Sequence, residues 1–169
     1  MSMRLEALDQ TEVRPLEFDW ALNLTRQETL LANVYWRSRH IGDRFPSRAD
    51  MSPLGMKGFM PNVGFVEIRQ EPDRRDYFIR LAGTKWEEVF GPITGRLLQE
   101  FLPKHVESRW RLLFDAVCER KQPVRATTQI TFKNMSWLTT EMFVAPLTGG
   151  TTTDIAMLFM CFTSWSTSR

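Results

Sequence analysis

His40 and His105 are the two side chains of this sequence that could exchange protons near neutral pH without help from their surroundings, and neither stands in a recognisable catalytic set. No Gly-x-Ser-x-Gly elbow, phosphate-cradling glycine loop, His-Glu-x-x-His or paired-carboxylate spacing occurs, so catalysis is not expected. Cys118 and Cys161 lie in apolar stretches without metal or redox spacing. They read as small core residues kept reduced. The polar residues that stand out are Arg80 and Glu141, each inside an otherwise apolar, strand-like segment. A buried charge must be paired or hydrogen-bonded, because an isolated one costs several kcal/mol. Each is therefore satisfied by backbone or by another side chain, or faces water on an open side, or meets a ligand. The structural readings carry more weight than the ligand.

The elements that would position these residues can be read in order. Residues 1–23 alternate charge with a few apolar groups and contain Pro15, which suggests a loosely attached arm, although Leu16, Phe18, Trp20 and Leu22 alternate as a short strand would. Thr25 and Glu28 have capping-box spacing, and Leu30, Leu31, Val34 and Tyr35 recur at helical spacing up to about His40. Next comes a corner with strong punctuation. Pro46 disfavours helix at Phe45, and Ser52-Pro53 offers an N-cap followed by a first-turn proline, opening a short helix to about Met60. Residues 62–68 and 77–82 read as a hairpin turned by Glu71-Pro72-Asp73. Short helical pieces at 85–90 and 97–101, joined by glycines, lead to a longer helix with Val106, Trp110, Leu113, Phe114 and Val117 on one face. Arg120 and Lys121 suit its C-terminal end. The last third has the period of strands: 124–132, a turn at Asn134-Met135-Ser136, 137–145, a turn over 146–153, and 154–163. The final strand is apolar at both parities, which predicts a central strand buried on both faces.

The 169 residues suit one domain of α+β class, with helices inserted between the second and third of five antiparallel strands and packed on one face of the sheet. The helix at 25–40 is then free to cover the other face or to pair with a second subunit. The 22 Lys and Arg residues nearly balance 20 Asp and Glu and are scattered, which argues against a nucleic-acid partner. No run approaches the roughly 18 apolar residues of a membrane span, and the charged first residues do not resemble a signal peptide, so a cytoplasmic location is expected.

The order of elements and several separated motifs resemble a bacterial subfamily of PAS domains, small sensor modules often found as stand-alone proteins. The matching pieces are Tyr35-Trp36-Arg37 with Pro46-Ser47-Arg48 and Asp50 to Pro53; Tyr77 to Thr84; Phe90-Gly91 with Leu97 after Thr94-Gly95; and Glu141 ahead of Pro146-Leu147. The likeness covers residues 24–164, leaving an N-terminal arm, 1–23, and a C-terminal tail, 165–169. It implies a five-stranded antiparallel sheet in the order 2-1-5-4-3, and a signalling role through ligand binding, protein contact or both. Arg80 and Glu141 match the family pattern. Arg80, Phe90, Trp110, Glu141 and Met157 are the candidate ligand contacts, although aromatic and methionine residues at such spacing are most often plain core. Tyr35, Trp36, Arg37 and Arg48 are candidates for the junction between helix and corner, with an arginine stacked on a ring. A flavin photosensor needs a cysteine between Gly83 and Phe101, where there is none. A haem would have to rely on His105, so haem and flavin are both disfavoured and the cofactor is left unknown. The expectation is a non-enzymatic sensor or adaptor that binds a small molecule in its core and contacts a separate signalling protein. Homodimerisation, resting on the 25–40 helix and the doubly apolar last strand, is expected as well. Its rivals are a pure interaction or dimerisation module with a self-filled core, and an α+β cone-like enzyme on an apolar substrate.

Overall fold

In the computed structural model, which describes residues 14–132 and 136–167, a six-stranded antiparallel sheet runs through the middle of the domain. Its strands are β1 (Arg14–Asp19), β2 (Val63–Gln70), β3 (Arg75–Ala82), β4 (Val124–Phe132), β5 (Ser136–Thr148) and β6 (Ile155–Thr167), in the order β1-β4-β5-β6-β2-β3. Without β1 this is the order the resemblance implied. The helices are α1 (Gln27–Ser38), α2 (Thr84–Phe90), α3 (Leu98–Phe101) and α4 (Lys104–Arg120). The first 13 residues of the expected arm, Asn134 and Met135 of the expected turn, and the last two residues of the tail lie outside the described residues.

The sixth strand comes from the arm, where Phe18 pairs with Ala126 and Asp19 with Arg125, and Leu16, Phe18 and Trp20 pack on the core. At the other end β6 continues through the expected tail to Thr167, with Trp165 opposite Thr139. The doubly apolar strand is central, as expected: Leu158, Met160 and Phe162 join the core beneath α2, α3 and α4, while Phe159 and Cys161 join the core beneath α1.

Pro146 does not open a turn. It lies within β5, opposite Leu158. The reason is an edge: β4 ends at Val124, opposite Val144, and beyond that point the outer side of β5 has no β4 partner. A proline without an N–H therefore sacrifices no ladder bond there. The corner occupies this edge instead, with Thr148 N–H donating to the Pro46 carbonyl (3.0 Å) and Ser47 bridging Thr148 in parallel. The single short helix expected after Ser52 is two 3-10 turns, Leu54–Met56 and Met60–Asn62. Ser52 still caps, its Oγ accepting the Gly55 N–H at 3.2 Å.

α1 covers the other face of the sheet, one of the two placements expected for it. Its sheet-facing residues are Thr29, Ala32 and Trp36, whereas Leu30, Leu31 and Val34 are 45%, 40% and 65% exposed. The stripe that gives the helix its apolar period points outward. α4 behaves as read, burying Val106, Trp110, Leu113, Phe114 and Val117.

Candidate functional site

The five candidate ligand contacts do not share one cavity. Phe90 and Trp110 meet between the helices and the sheet, their ring centroids 5.4 Å apart. Trp86 packs on Phe162 at 4.5 Å and on Trp110 at 5.7 Å, and Trp110 reaches Phe114 at 6.0 Å. All five rings are buried. Trp86 also has its polar edge satisfied, donating to the Asn62 carbonyl at 2.9 Å, while the Asn62 amide donates to the Phe162 carbonyl at 2.9 Å. Such tethering fixes the ring orientations from both elements. Met157 lies at the opposite parity of β6 and packs into the α1 side of the sheet. Arg80 is the extra residue of a bulge, since Ile79 pairs with Val66 and Leu81 with Phe65. The bulge turns its side chain into solvent, 63% exposed, with Glu67 at 4.0 Å.

Glu141 is completely buried, on the α1 side of β5. Its carboxylate is the hub of the polar network that seats α1. Oε1 accepts from Thr25 N–H (3.1 Å), Thr25 Oγ1 (2.9 Å) and Arg125 Nε (2.7 Å); Oε2 accepts from Arg26 N–H (3.1 Å) and Thr29 Oγ1 (2.6 Å). A helix start presents orphan N–H groups and the positive end of the helix dipole, and here a strand supplies the anion. The Thr25–Glu28 capping box is accordingly not formed: Arg26 is the capping residue and makes no side-chain cap bond. Burial pushes the Glu141 carboxyl up, but hydrogen bonds from Thr29, Arg125 and Thr25 outweigh it and hold the group below its ordinary value. Arg125 continues the network to Asp19 of β1 at 3.9 Å. On the far side of the helix start, the Arg26 guanidinium stacks over Trp165 of β6 at 3.6 Å. Sequence reading singled out Glu141 and missed Thr29, Arg125 and Arg26, because their link to it exists only across the sheet. Thr25 and Thr29 share a helix face four residues apart, but they stand in a wholly polar start, Thr25 to Thr29, that does not set them apart.

The junction residues act at separate points around the other end of α1 and the corner. Trp36 donates its indole N–H to the Pro146 carbonyl at 3.0 Å and stacks with His40 (4.4 Å) and Phe45 (5.5 Å). His40 Nδ1 lies 3.0 Å from the Trp36 carbonyl, at the helix end. The Tyr35 hydroxyl accepts the Ser52 N–H at 2.9 Å. Arg48 stacks on Phe65 at 4.0 Å and donates to the Met51 carbonyl at 2.9 Å. Arg37 is exposed and bonds Asn33 on its own helix at 3.0 Å. Asp50 closes the corner, accepting the Ser47 N–H at 2.9 Å, and that bond first, with the Ser47 hydroxyl, lowers its pKa.

A second polar cluster holds β3 to α4. Tyr77 donates to Asp115, whose carboxylate also lies 3.6 Å from Arg75, and the Cys118 thiol is 3.9 Å from the Tyr77 hydroxyl. Burial pushes the Cys118 thiol up to about 11, which suppresses its nucleophilic form. Beside this cluster is a surface cleft of about 410 Å³, lined by Arg74, Gln99, Leu102, Lys104, Glu107 and Arg111. Arg111 is committed there, to Glu107 at 2.7 Å and Asp76 at 3.7 Å. Among the described residues no cluster of His, Cys, Asp or Glu could hold a metal ion, and no helix is long and apolar enough to cross a membrane.

The sheet order, the inserted helices and the helix-capped outer face are those of a PAS domain. The family model described as PAS domain matches residues 24–160, and the chain belongs to that family. No curated protein matches it. Membership supports a sensor or signalling type of module.

Proposed function

We propose that this PAS domain is a non-enzymatic signalling module that acts through protein contact, with the outward face of α1 as the contact surface and its core filled by its own side chains. The observation that carries this reading is the orientation of α1, seated by Thr29, Ala32 and Trp36 with Leu30, Leu31 and Val34 facing solvent. Contiguous exposed apolar side chains on a rigidly held helix mark interaction sites more often than accident. The ring cluster of Trp86, Phe90, Trp110, Phe114 and Phe162 supports the self-filled core, since a small molecule between helices and sheet would have to displace rings that already pack at 4.5–6.0 Å. A separate signalling protein and a second copy of the chain are both candidates for the α1 surface.

The test is photo-crosslinking in cells from a benzophenone amino acid placed at Leu31, with Glu88 on α2 as the control position. Adducts from position 31, lost in the L30E/V34E background and absent from position 88, are expected. Position 31 giving no more adduct than position 88 would sink the reading. Native mass spectrometry of the purified protein checks the core, and a co-purifying small molecule would overturn the self-filled half.

A further inference from the structure

We propose that the surface formed by α1 and the adjoining turn takes an acidic amphipathic helix of a partner protein, an inference that rests on the docking reading above and supplies the partner's chemistry. The surface has two components. Its apolar centre joins Leu30, Leu31 and Val34 to Leu54, which is 81% exposed. The turn carrying Leu54 lies directly on the helix, because Gly55 admits the Tyr35 ring where a Cβ would stand 2.3 Å from it, and Gly58 lies under Leu31. Helix and turn thus present one continuous ridge.

Its rim is cationic. Arg37 and Arg39 are exposed at the C-terminal end of this ridge, and Lys57 is exposed on the turn between Gly55, which meets Tyr35, and Gly58, which meets Leu31. Arg37 bonds the Asn33 amide (3.0 Å) and Arg39 the Asp50 carbonyl (2.8 Å), so their Nε donors go to neutral oxygens. Among the described residues no ion pair engages Arg37, Arg39 or Lys57. Asp43 is the exposed countercharge at this end; the Asp50 carboxylate accepts from Ser47 and also feels the Arg39 charge, so Arg37 and Lys57 are, among the described residues, the cations of this rim without a facing carboxylate within ion-pair distance. An apolar ridge with cations at its end and beside it complements a helix that offers apolar residues at i, i+3 and i+4 and carboxylates beside them. The exposed stripe from Leu30 to Arg37 spans about two helical turns, enough for a helix-on-helix crossing.

The experiment uses the full chain and two labelled peptides of about 18 residues, with leucine at the same helical positions and either glutamate or lysine elsewhere, read by fluorescence anisotropy. The glutamate peptide is expected to bind about tenfold more tightly than the lysine peptide at low salt, with the preference shrinking as salt rises. R37E/K57E should erase or invert the preference, and L30E/V34E should abolish binding by both while leaving the melting temperature unchanged. Equal binding, preference for lysine, or binding by neither peptide overturns the proposal. So does sedimentation showing a dimer that L30E/V34E dissolves, or recruitment to anionic vesicles that depends on Leu54. If the Leu31 crosslinks persist while the peptides do not discriminate, the partner chemistry fails and the docking surface stands. If the crosslinks are absent, the docking reading itself has failed.

Discussion

Glu141→Gln is the perturbation that isolates the clamp between sheet and helix, because it keeps side-chain shape and removes charge. With its one oxygen at the Oε1 position, glutamine still accepts from Thr25 and Arg125. Its amide then faces the Arg26 N–H and the Thr29 hydroxyl, where the carboxylate received bonds of 3.1 and 2.6 Å. The Thr29 hydroxyl can rotate to accept, whereas the backbone N–H cannot. One buried donor left unpaired costs about 1–3 kcal/mol, and each bond that loses charge assistance loses about 1 kcal/mol more. The Arg125 partner is 21% exposed, so that contribution is discounted for water. The expected loss is about 3 kcal/mol, a fall of about 6–12 °C in Tm for a domain of this size.

Urea titration followed by tryptophan fluorescence and by far-UV circular dichroism measures the loss at pH 7. The pH dependence supplies a second, independent readout. The folded carboxyl lies below its ordinary value of 4.5. Between the folded and unfolded pKa values the unfolded chain binds the extra proton, so the stabilisation is complete above 4.5 and is lost as pH falls through the folded value. The gap between wild type and E141Q should therefore close in acid. Acid sensitivity remaining in E141Q is assigned to Asp19 and Asp50, held low chiefly by the backbone N–H groups of Asn23 and Ser47. A loss under about 0.5 kcal/mol at pH 7, the noise of a plain surface change, or a gap that does not shrink in acid, would refute the clamp.

Gly55→Ala should lower Tm by several degrees, since the new Cβ meets the Tyr35 ring at 2.3–2.6 Å, and Tyr35→Ala in the same chain should recover part of that loss. Trp36→Phe, which keeps an aromatic ring but leaves the Pro146 carbonyl without its 3.0 Å donor, should cost about 1–2 kcal/mol in the same titration. Trp110→Ala should cost about 3–5 kcal/mol through the cavity left among Trp86, Phe90 and Phe114; a near-neutral effect would indicate that the core is not close-packed. Both thiols should resist alkylation at pH 8 in the folded protein and react on unfolding, because burial raises Cys118 to about 11 and pushes Cys161 up as well.

What could be read from the chain was whatever periodicity and local steric rules decide. The doubly apolar run at 155–162 required a central strand, and α4 buried the face its spacing marked, because each depends on one element meeting one core. An arginine stacked on a ring at the junction, and His40 at the helix end, followed from residue type near a known boundary, but which arginine and which ring, Arg48 on Phe65, did not. Register and facing were different. Pro146 reads as a turn until the end of β4 leaves an open edge for it, and Arg80 reads as facing a partner, a ligand or water until a bulge opposite Phe65 and Val66 turns it out. Thr25 reads as a local cap until Glu141, 116 positions away, takes its N–H. The apolar stripe of α1 shows the limit most plainly. Spacing established that Leu30, Leu31 and Val34 share a face, but a helix can be rotated about its axis without changing its sequence. Glu141 at its start and Trp36 on the Pro146 carbonyl at its end lock that rotation, and they turn the stripe toward solvent.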